Sequence, residues 1–150
     1  MHLKIEINNL AKSPTKTVPI ERIVALTLEK SGYAFLAKKN LSLSFAWIAE
    51  EEIKKINKSY RKKDKATDVL SFCEYENEAA LKKSKEKELF LGELLLCYNF
   101  IRSVSLAEGG DQKDLKKELA RIIAHGVLHL LGFSHGLKMF NIQDAVAEKF

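Results

Sequence analysis

The chain has 150 residues, of which 46% are hydrophobic and 30% are charged, and its formal net charge is +5 at pH 7. This length suits one domain with a buried core, and this composition is typical of a soluble globular protein. No apolar run approaches the roughly 20 residues of a membrane span, and the amino terminus lacks the apolar region of a secretory signal. The basic balance favours polyanionic partners without naming one. We therefore expect a cytoplasmic protein whose residues 1–150 form one domain.

The predicted elements intersperse strands with helices along the chain. Alternating or short apolar runs predict strands, and apolar residues three or four apart predict helices. In chain order they are a strand at 3–7, a helix from 19 that fades near 32 and resumes towards 39, a strand at 41–47, a helix at 50–60, strands at 67–75 and 89–97, helices at 99–107 and from 111 into the 120s, and a weak helical pattern at 140–150. This order on one small sheet indicates an α/β or α+β layer fold.

Two features of the chain lead to simpler expectations. Residues 76–88 are rich in Glu and Lys with few apolar side chains, which predicts a solvated, mobile loop. Cys73 and Cys97 are far apart and form no C-x-x-C pair, a usage that fits a reducing cytosol better than a disulfide framework. Both cysteines lie in apolar runs, so we expect both to be small core residues.

Three of the four histidines, His125, His129 and His135, fall within eleven residues. On a helix His125 and His129 share one face, because they are four residues apart. Gly132 offers a helix stop, so His135 can return towards them from the following turn. The flanking residues are apolar nearly all round, and buried imidazoles need polar partners. The spacing therefore predicts that three imidazoles share one small divalent ion, with hydrogen-bonded core histidines as the alternative. Zinc suits such nitrogen ligands and leaves a fourth position for water in a catalytic site.

The same spacing is similar to the H-E-x-x-H-x-x-G-x-x-H signature of the metzincin proteases, but Gly126 stands where that signature has its general base. Glycine cannot take a proton from water, which counts against a peptidase mechanism of that kind. Three neutral imidazoles leave the ion its full double charge, and this suits an anionic substrate such as a phosphodiester. The histidines indicate a metal-dependent hydrolase, with a metallopeptidase as the weaker alternative.

A basic segment, residues 54–65, carries seven cations opposed by one acidic residue. A solvated helix end explains such a run by itself, since cations favour a helix carboxyl terminus. Yet Tyr60 and Arg61 lie shortly before a predicted strand, where loops commonly hold functional residues. An aromatic ring can stack a base, and the planar fork of Arg61 suits a bidentate phosphate contact. Arg61 is the candidate catalytic residue, and the candidate RNA contacts are Tyr60, Lys62 and Lys63.

Two acidic residues are candidates for supporting roles. Thr67 and Asp68 have two interpretations. Their side chains either stabilise a turn at the start of a strand, or the Asp68 carboxylate orients a cation or a histidine of the site. Glu93 lies in an apolar strand, where a carboxylate needs a partner. We therefore expect Glu93 to have a structural role or to support the site.

Two segments together resemble one family. Residues 57–72, NKSYRKKDKATDVLSF, resemble the N-x-x-x-R-x-x-D-x-P-T-D-V-L-S-F box of the YbeY endoribonucleases. Residues 125–135, HGVLHLLGFSH, resemble that family's H-G-x-L-H-L-x-G-x-D-H box, and residues 91–93 are similar to its L-G-D element. The order and separations fit over about residues 50–136, and the two boxes together are far more specific than either alone.

The resemblance implies a zinc-dependent, single-strand-directed endoribonuclease with one Zn²⁺ ion per chain. It implies roles in maturing the 3′ end of 16S rRNA and in ribosome quality control, with ribosomal RNA and the small ribosomal subunit as partners. It implies His125, His129 and His135 as metal ligands and Arg61 as a functional arginine. The implied fold is α+β, a single domain with a small mixed sheet of about four strands packed against helices, one of them a zincin-like histidine helix.

Four positions depart from the family pattern. They are Ala66 and Cys73 in place of proline, Glu93 in place of aspartate, and Ser134 in place of the aspartate before the last histidine. Ser134 matters most, because a serine can hydrogen-bond but carries no charge. Ser134 and Gly126 leave a second hypothesis open, in which the protein is a non-catalytic ribosome-assembly factor whose metal stabilises the fold and whose basic face binds RNA.

Overall fold

Four strands form one central sheet in the computed structural model, which describes residues 2–150. The strands are β1 (His2–Asn9), β2 (Asn40–Trp47), β3 (Val69–Cys73) and β4 (Glu88–Leu96), and their spatial order is β1-β2-β4-β3. Both β1 and β4 pair with β2 in parallel, whereas β3 pairs with β4 in antiparallel orientation at the sheet edge. The prediction of a small mixed sheet of four strands is therefore confirmed.

Helices connect the strands and cover the sheet. They are α1 (Ile20–Lys30), α2 (Glu50–Arg61), α3 (Glu78–Lys83), α4 (Tyr98–Ala107), α5 (Gln112–Leu130) and α6 (Leu137–Ala147), with a short 3₁₀ helix at Ala34–Lys38. The long α5 packs against α1, α4 and α6 and against strands β3 and β4. This is the predicted α+β fold. No helix in the described part of the chain is both long and apolar enough to cross a membrane.

The main core fixes the position of α5 against the sheet. Alternate residues of β2, such as Leu43 and Phe45, are buried in one cluster with Ile123 and Val127 of α5. Full burial of an aliphatic or aromatic side chain of this size stabilises a fold by about 1.5–3 kcal/mol. The polar residues of α5 are therefore presented from a helix that has little freedom to move.

Gly126 allows α5 to approach the sheet closely. A Cβ atom at this position would lie 2.9 Å from Cδ2 of Leu94 and 3.3 Å from Cγ2 of Val69, both of them strand residues. The Ser71 hydroxyl of β3 also donates a hydrogen bond to the Gly126 carbonyl, over 3.4 Å. Gly126, the residue that counts against a protease-like general base, thus faces the sheet. Its close approach places the histidine-bearing end of α5 beside β3.

Both ends of α5 are defined by local chemistry. At its start the Asp111 side chain accepts from the Asp114 amide, and the Asp114 side chain accepts from the Asp111 amide, which forms a capping box. Beyond its last turn Gly132 adopts φ +91°, a conformation that glycine tolerates best. The Phe133 amide then donates to the Leu128 carbonyl over 3.0 Å. The predicted helix stop at Gly132 is confirmed, and the chain turns back there.

The second face of the sheet packs against α2. Ile53 of α2 is buried with Leu70 of β3 and Leu95 of β4 in a smaller apolar cluster. This packing places the carboxyl end of α2, which carries Tyr60 and Arg61, beside the edge strand β3. The basic segment therefore lies at the same edge of the sheet as the end of α5.

Residues 76–88 are largely exposed, as predicted, but the prediction that they form only a loop is wrong. This segment contains α3, whose first free amides are capped by Asn77, since its side chain accepts from the Ala80 amide over 2.9 Å. Leu81 is the anchor of the helix, because it is fully buried in the main core. The charged residues around Leu81 face solvent, so one buried apolar side chain anchors a helix in a segment whose average composition is that of a loop.

Candidate metal centre

The histidine cluster is built by the end of α5 and the turn after it. His125 and His129 lie one helical turn apart on α5, and His135 follows the turn that Gly132 begins. Their Nε2 atoms form a triangle with sides of 3.1 Å for His125–His129, 3.0 Å for His129–His135 and 3.3 Å for His125–His135. The structure therefore brings together the three side chains that the sequence selects.

The outer nitrogens of two of these rings have acceptors that determine where the ring protons lie. Nδ1 of His129 is 3.1 Å from the backbone carbonyl oxygen of Phe133, and Nδ1 of His125 is 2.7 Å from Oε1 of Gln143. A carbonyl oxygen only accepts, so each Nδ1 carries the proton and donates it. The Nε2 atoms of both neutral rings then present lone pairs towards the centre of the triangle.

This arrangement of nitrogens suits a cation as its partner. Two lone pairs 3.1 Å apart repel each other unless a positive charge lies between them. Nitrogen ligands at about 2.0–2.1 Å from a tetrahedral zinc ion are about 3.3 Å apart, close to the spacing of this triangle. The residues present therefore fit a small divalent ion, and the three histidines can hold one while they leave its remaining positions open.

The surroundings of His129 favour the neutral form of its ring. Burial lowers its pKa below the ordinary histidine value, and the neighbouring His125 and His135, together with the charge of Arg61, lower it further. The hydrogen bond to the Phe133 carbonyl acts in the opposite direction. A metal ligand must be a neutral imidazole, so a lowered pKa keeps His129 available for a metal over a wider pH range.

The cluster opens into a cleft of about 340 Å³ along β3. Its walls are the three histidines, Arg61 and the chain from Thr67 to Cys73. Arg61 therefore shares one cleft with the histidines although it lies 64 positions before His125 in the sequence. A second cleft, of about 400 Å³, lies near Tyr98 and Leu115. That cleft is far from the histidines along α5 and contains none of the candidate site residues.

The basic segment lies beside this cleft and is exposed to solvent. Tyr60 is 70% exposed, and its ring meets the ring of Phe72 edge-on with centroids 5.2 Å apart. Lys62 ends α2 in a left-handed conformation, and its ammonium group donates to the Ser59 carbonyl over 3.3 Å. Lys63 is exposed. The segment thus presents one accessible aromatic ring and several exposed cations beside the cleft.

The remaining predicted residues divide between the cleft and other places. Asp68 lines the cleft, but its carboxylate accepts from the Val69 amide over 2.7 Å and from the Thr67 hydroxyl over 3.3 Å, which is strand-start chemistry. Ser134 is exposed in the turn before His135.

Two expectations about β3 and β4 are corrected. Glu93 does not need a partner, because its side chain is exposed, and no ion pair within residues 2–150 includes it. Cys97 is buried as expected, but Cys73 is exposed at the end of the edge strand, where its thiol donates to the His129 carbonyl over 3.2 Å. Glu93 and Cys73 both lie in apolar runs, but their own side chains face away from the core.

Sequence reasoning missed Gln143, which contacts His125 from α6. The helical pattern of residues 140–150 is weak, and no local spacing connects position 143 to position 125. Tertiary packing makes the contact, since Asp144, the next residue, accepts a hydrogen bond from Nε of Arg121 on α5 over 2.9 Å.

Comparison with known proteins identifies the relationship. The family profile described as Endoribonuclease YbeY matches residues 6–150. The chain belongs to the YbeY family. The Endoribonuclease YbeY of Macrococcus caseolyticus is 33% identical over 150 residues, which cover 96% of this chain and 92% of that relative. That of Halalkalibacterium halodurans is 31% identical over 137 residues, covering 89% and 84%.

A solved structure shares the fold. The solution structure of TM1509 from Thermotoga maritima superimposes with a TM-score of 0.62 at 23% sequence identity, and the match covers 97% of this chain and 87% of that one. The two segments that resemble YbeY boxes, residues 57–72 and 125–135, are the ones that supply Arg61, most of β3 and the three histidines to the cleft. The resemblance seen in the sequence is confirmed.

Proposed function

We propose that the protein is a zinc-dependent endoribonuclease that cleaves single-stranded RNA at the histidine cleft. The observation that carries this proposal is the triangle of Nε2 atoms, 3.0–3.3 Å apart, in the same cleft as Arg61. His125, His129 and His135 would hold one Zn²⁺ ion. When bound, zinc supplies a Lewis acid and a source of hydroxide near neutral pH.

The charge of the site favours an anionic substrate. All three ligand side chains are neutral when they coordinate, so none of the ligands cancels the charge of a divalent ion there. Arg61 adds a further positive charge to the same cleft. A phosphodiester brought into the cleft would therefore be attracted to it and stabilised as negative charge develops on its oxygens.

Arg61 has the chemistry to contact the phosphate directly. Its guanidinium group is planar, stays charged and presents paired donors that match two phosphate oxygens. The buried packing of α2 against the sheet holds the helix that carries it. We assign Arg61 the catalytic role of orienting the phosphate and stabilising its charge.

The exposed residues next to Arg61 would bind the RNA strand on either side of the cut. The accessible ring of Tyr60 can stack an unpaired base, an interaction open to single strands because paired bases are already stacked. Lys62 and Lys63 would neutralise neighbouring phosphates and release counterions. The Asp68 carboxylate in the cleft wall would support the start of β3 through its hydrogen bonds with Thr67 and Val69. Ser134 and Glu93 are exposed, and we assign them no catalytic role.

Membership of the family supports a more specific proposal about the substrate and the place of action. We propose that the RNA is ribosomal, that the chain acts on the 3′ end of 16S rRNA and in quality control of the small ribosomal subunit, and that it works in the cytoplasm where ribosomes mature. The match over residues 6–150 supports one endoribonuclease domain over the whole chain. The relatives are named as endoribonucleases, which does not favour a non-catalytic assembly factor.

Metal analysis paired with an RNA cleavage assay tests the proposal. We expect purified protein to contain about one equivalent of zinc, to cleave an unpaired RNA and to lose that cleavage on chelation. His129→Ala should lose both zinc and cleavage, because it removes the nitrogen that is closest to both other ligands.

The matched control is His2→Ala, which removes the one histidine outside the cluster, an exposed residue at the start of β1. It should retain both zinc and cleavage. Full cleavage by metal-free His129→Ala protein would refute the proposed role of the cluster. Zinc-loaded protein that binds RNA but never cuts it would favour the assembly-factor hypothesis instead.

A further inference from the structure

A single side chain from another helix controls one histidine of the cluster. Oε1 of Gln143 lies 2.7 Å from Nδ1 of His125, and both residues are partly buried. The corresponding contact of His129 is made by a backbone carbonyl three residues beyond α5. The ring of His125 is thus oriented by a residue of α6, whereas the ring of His129 is oriented by the turn that follows α5.

We propose that Gln143 is a positioning residue that fixes the tautomer and ring orientation of His125 for metal binding. By accepting the Nδ1 proton it leaves the lone pair on Nε2, the atom that faces the other histidines. Without this acceptor the ring can place its proton on Nε2 or rotate away, and either change removes one ligand. The inference rests on the proposed function, since it concerns the same metal centre.

The structure holds Gln143 in place through the packing of α6 on α5. Arg121 and His125 lie one turn apart on α5, and they contact the adjacent residues Asp144 and Gln143 of α6. Buried Val146, in the main core, anchors α6 on the same side. The hydrogen bond to His125 is therefore supported by a neighbouring ion pair and by apolar packing, so the position of Gln143 is determined by the fold.

The neutrality of Gln143 also matters for the substrate. An amide oxygen accepts the imidazole proton without bringing a charge, whereas a carboxylate at the same position would bring a negative charge to the back of His125. A site that attracts phosphodiesters benefits from the neutral acceptor. We therefore expect the identity of residue 143 to affect metal binding and RNA binding separately.

Three variants test the proposal. Gln143→Leu keeps a side chain of similar size without an acceptor, and we expect zinc affinity, measured by chelator competition, to fall about 10- to 100-fold. Gln143→Glu restores an acceptor, so zinc affinity should return to within a few fold of the original or exceed it. RNA affinity of the zinc-loaded glutamate variant should fall. Gln112→Leu, at the exposed start of α5, is the matched control and should change neither quantity.

The tautomer itself provides a readout that a merely structural role would not move. In metal-free protein, nitrogen NMR should show His125 with its proton on Nδ1, mixed tautomers in Gln143→Leu and the original tautomer in Gln143→Glu. Unchanged zinc affinity and an unchanged tautomer in the leucine variant would overturn the proposal. If the leucine variant does not fold, a glutamate variant that fails to keep the proton on Nδ1 also overturns it. Unaltered protein that binds no zinc contradicts the proposed function, while the tautomers still test Gln143.

Discussion

The histidine end of α5 and the basic segment at the end of α2 meet at one cleft but are built in opposite ways. Around the histidines the neighbouring residues Leu128 and Leu130 are fully buried, and the close approach at Gly126 fixes the helix against the sheet. In the basic segment the lysines are exposed, and the ion pair between Lys58 and Asp64 is 3.9 Å long with both side chains largely in solvent. The first region is rigid, and the second is solvated.

The difference follows from what each region has to do. Metal coordination requires nitrogens placed within a few tenths of an ångström, which only a well-packed scaffold provides. Attraction of a polyanion requires charge and little geometry, so flexible lysines are sufficient. Arg61 lies between the two cases, because it belongs to the basic segment, yet it lines the histidine cleft and its charge lowers the pKa of His129.

The largest effect within this comparison is expected at Arg61. Arg61→Ala should retain zinc and fold normally, but cleavage of single-stranded RNA should fall by about 100-fold, as for the loss of one group that stabilises developing charge. Single-turnover cleavage with the metal content measured in parallel checks this expectation. Arg102→Ala, which removes an exposed arginine of α4 outside the cleft, is the control. A normal cleavage rate in Arg61→Ala protein would contradict a catalytic role and would mean that Arg61, like the solvated lysines, only adds positive charge.

The rigid region is tested by adding one methyl group at Gly126. Gly126→Ala places a Cβ atom 2.9 Å from a terminal methyl of Leu94 and 3.3 Å from one of Val69, so these buried side chains or the helix itself must shift. We expect this packing cost of about 1–3 kcal/mol to exceed the roughly 1 kcal/mol by which alanine favours a helix over glycine, so the free energy of unfolding should decrease. Urea unfolding of metal-free protein measures this cost, and zinc affinity should fall with it because the ligands move with the helix. Gly136→Ala, whose Cβ atom would meet nothing within 4 Å, should leave stability unchanged. Equal stability of both variants would show that the close approach is unimportant.

The histidine cluster could be predicted because its information is local. Spacing four apart on a helix puts His125 and His129 on one face, and a glycine stop returns His135, so three positions within eleven residues specify the geometry. The four strands could be predicted for the same reason, since either alternation of apolar residues or a short apolar run is visible within each segment. Gln143 could not be predicted, because its contact with His125 depends on how α6 packs and not on spacing.

The errors in β3, β4 and α3 have one physical cause. The composition of a run does not say which of its residues face the core. Glu93 and Cys73 are exposed in apolar strands, and Leu81 is buried in a charged segment. In each case the burial of one side chain differs from the burial that the composition of its segment suggests. Only the tertiary structure determines which way that side chain faces.

The solvated region predicts a smaller effect that depends on salt. Lys63→Ala removes one phosphate contact, so the slope of log affinity against log salt should decrease by about 0.7, with about fourfold weaker RNA binding near 0.15 M salt. Fluorescence anisotropy of a labelled unpaired RNA at several salt concentrations measures both quantities. Lys30→Ala, an exposed lysine at the end of α1, serves as the control. A loss that does not depend on salt would mean that Lys63 has a fixed, geometric role like that of the histidines.

The smallest effect is expected at Glu93, which extends the comparison to a charged residue outside both regions. Its neighbours across the sheet are Ser44 and Phe72, and its exposed side chain already has water to solvate the carboxylate. Glu93→Gln removes a charge without removing a partner, so the free energy of unfolding should change by less than about 0.5 kcal/mol. Zinc content and cleavage should also be retained. A decrease of more than about 1 kcal/mol in the free energy of unfolding, or weaker metal binding, would contradict this expectation. It would mean that Glu93 is coupled to the histidine cleft and that the division into a rigid region and a solvated region is incomplete.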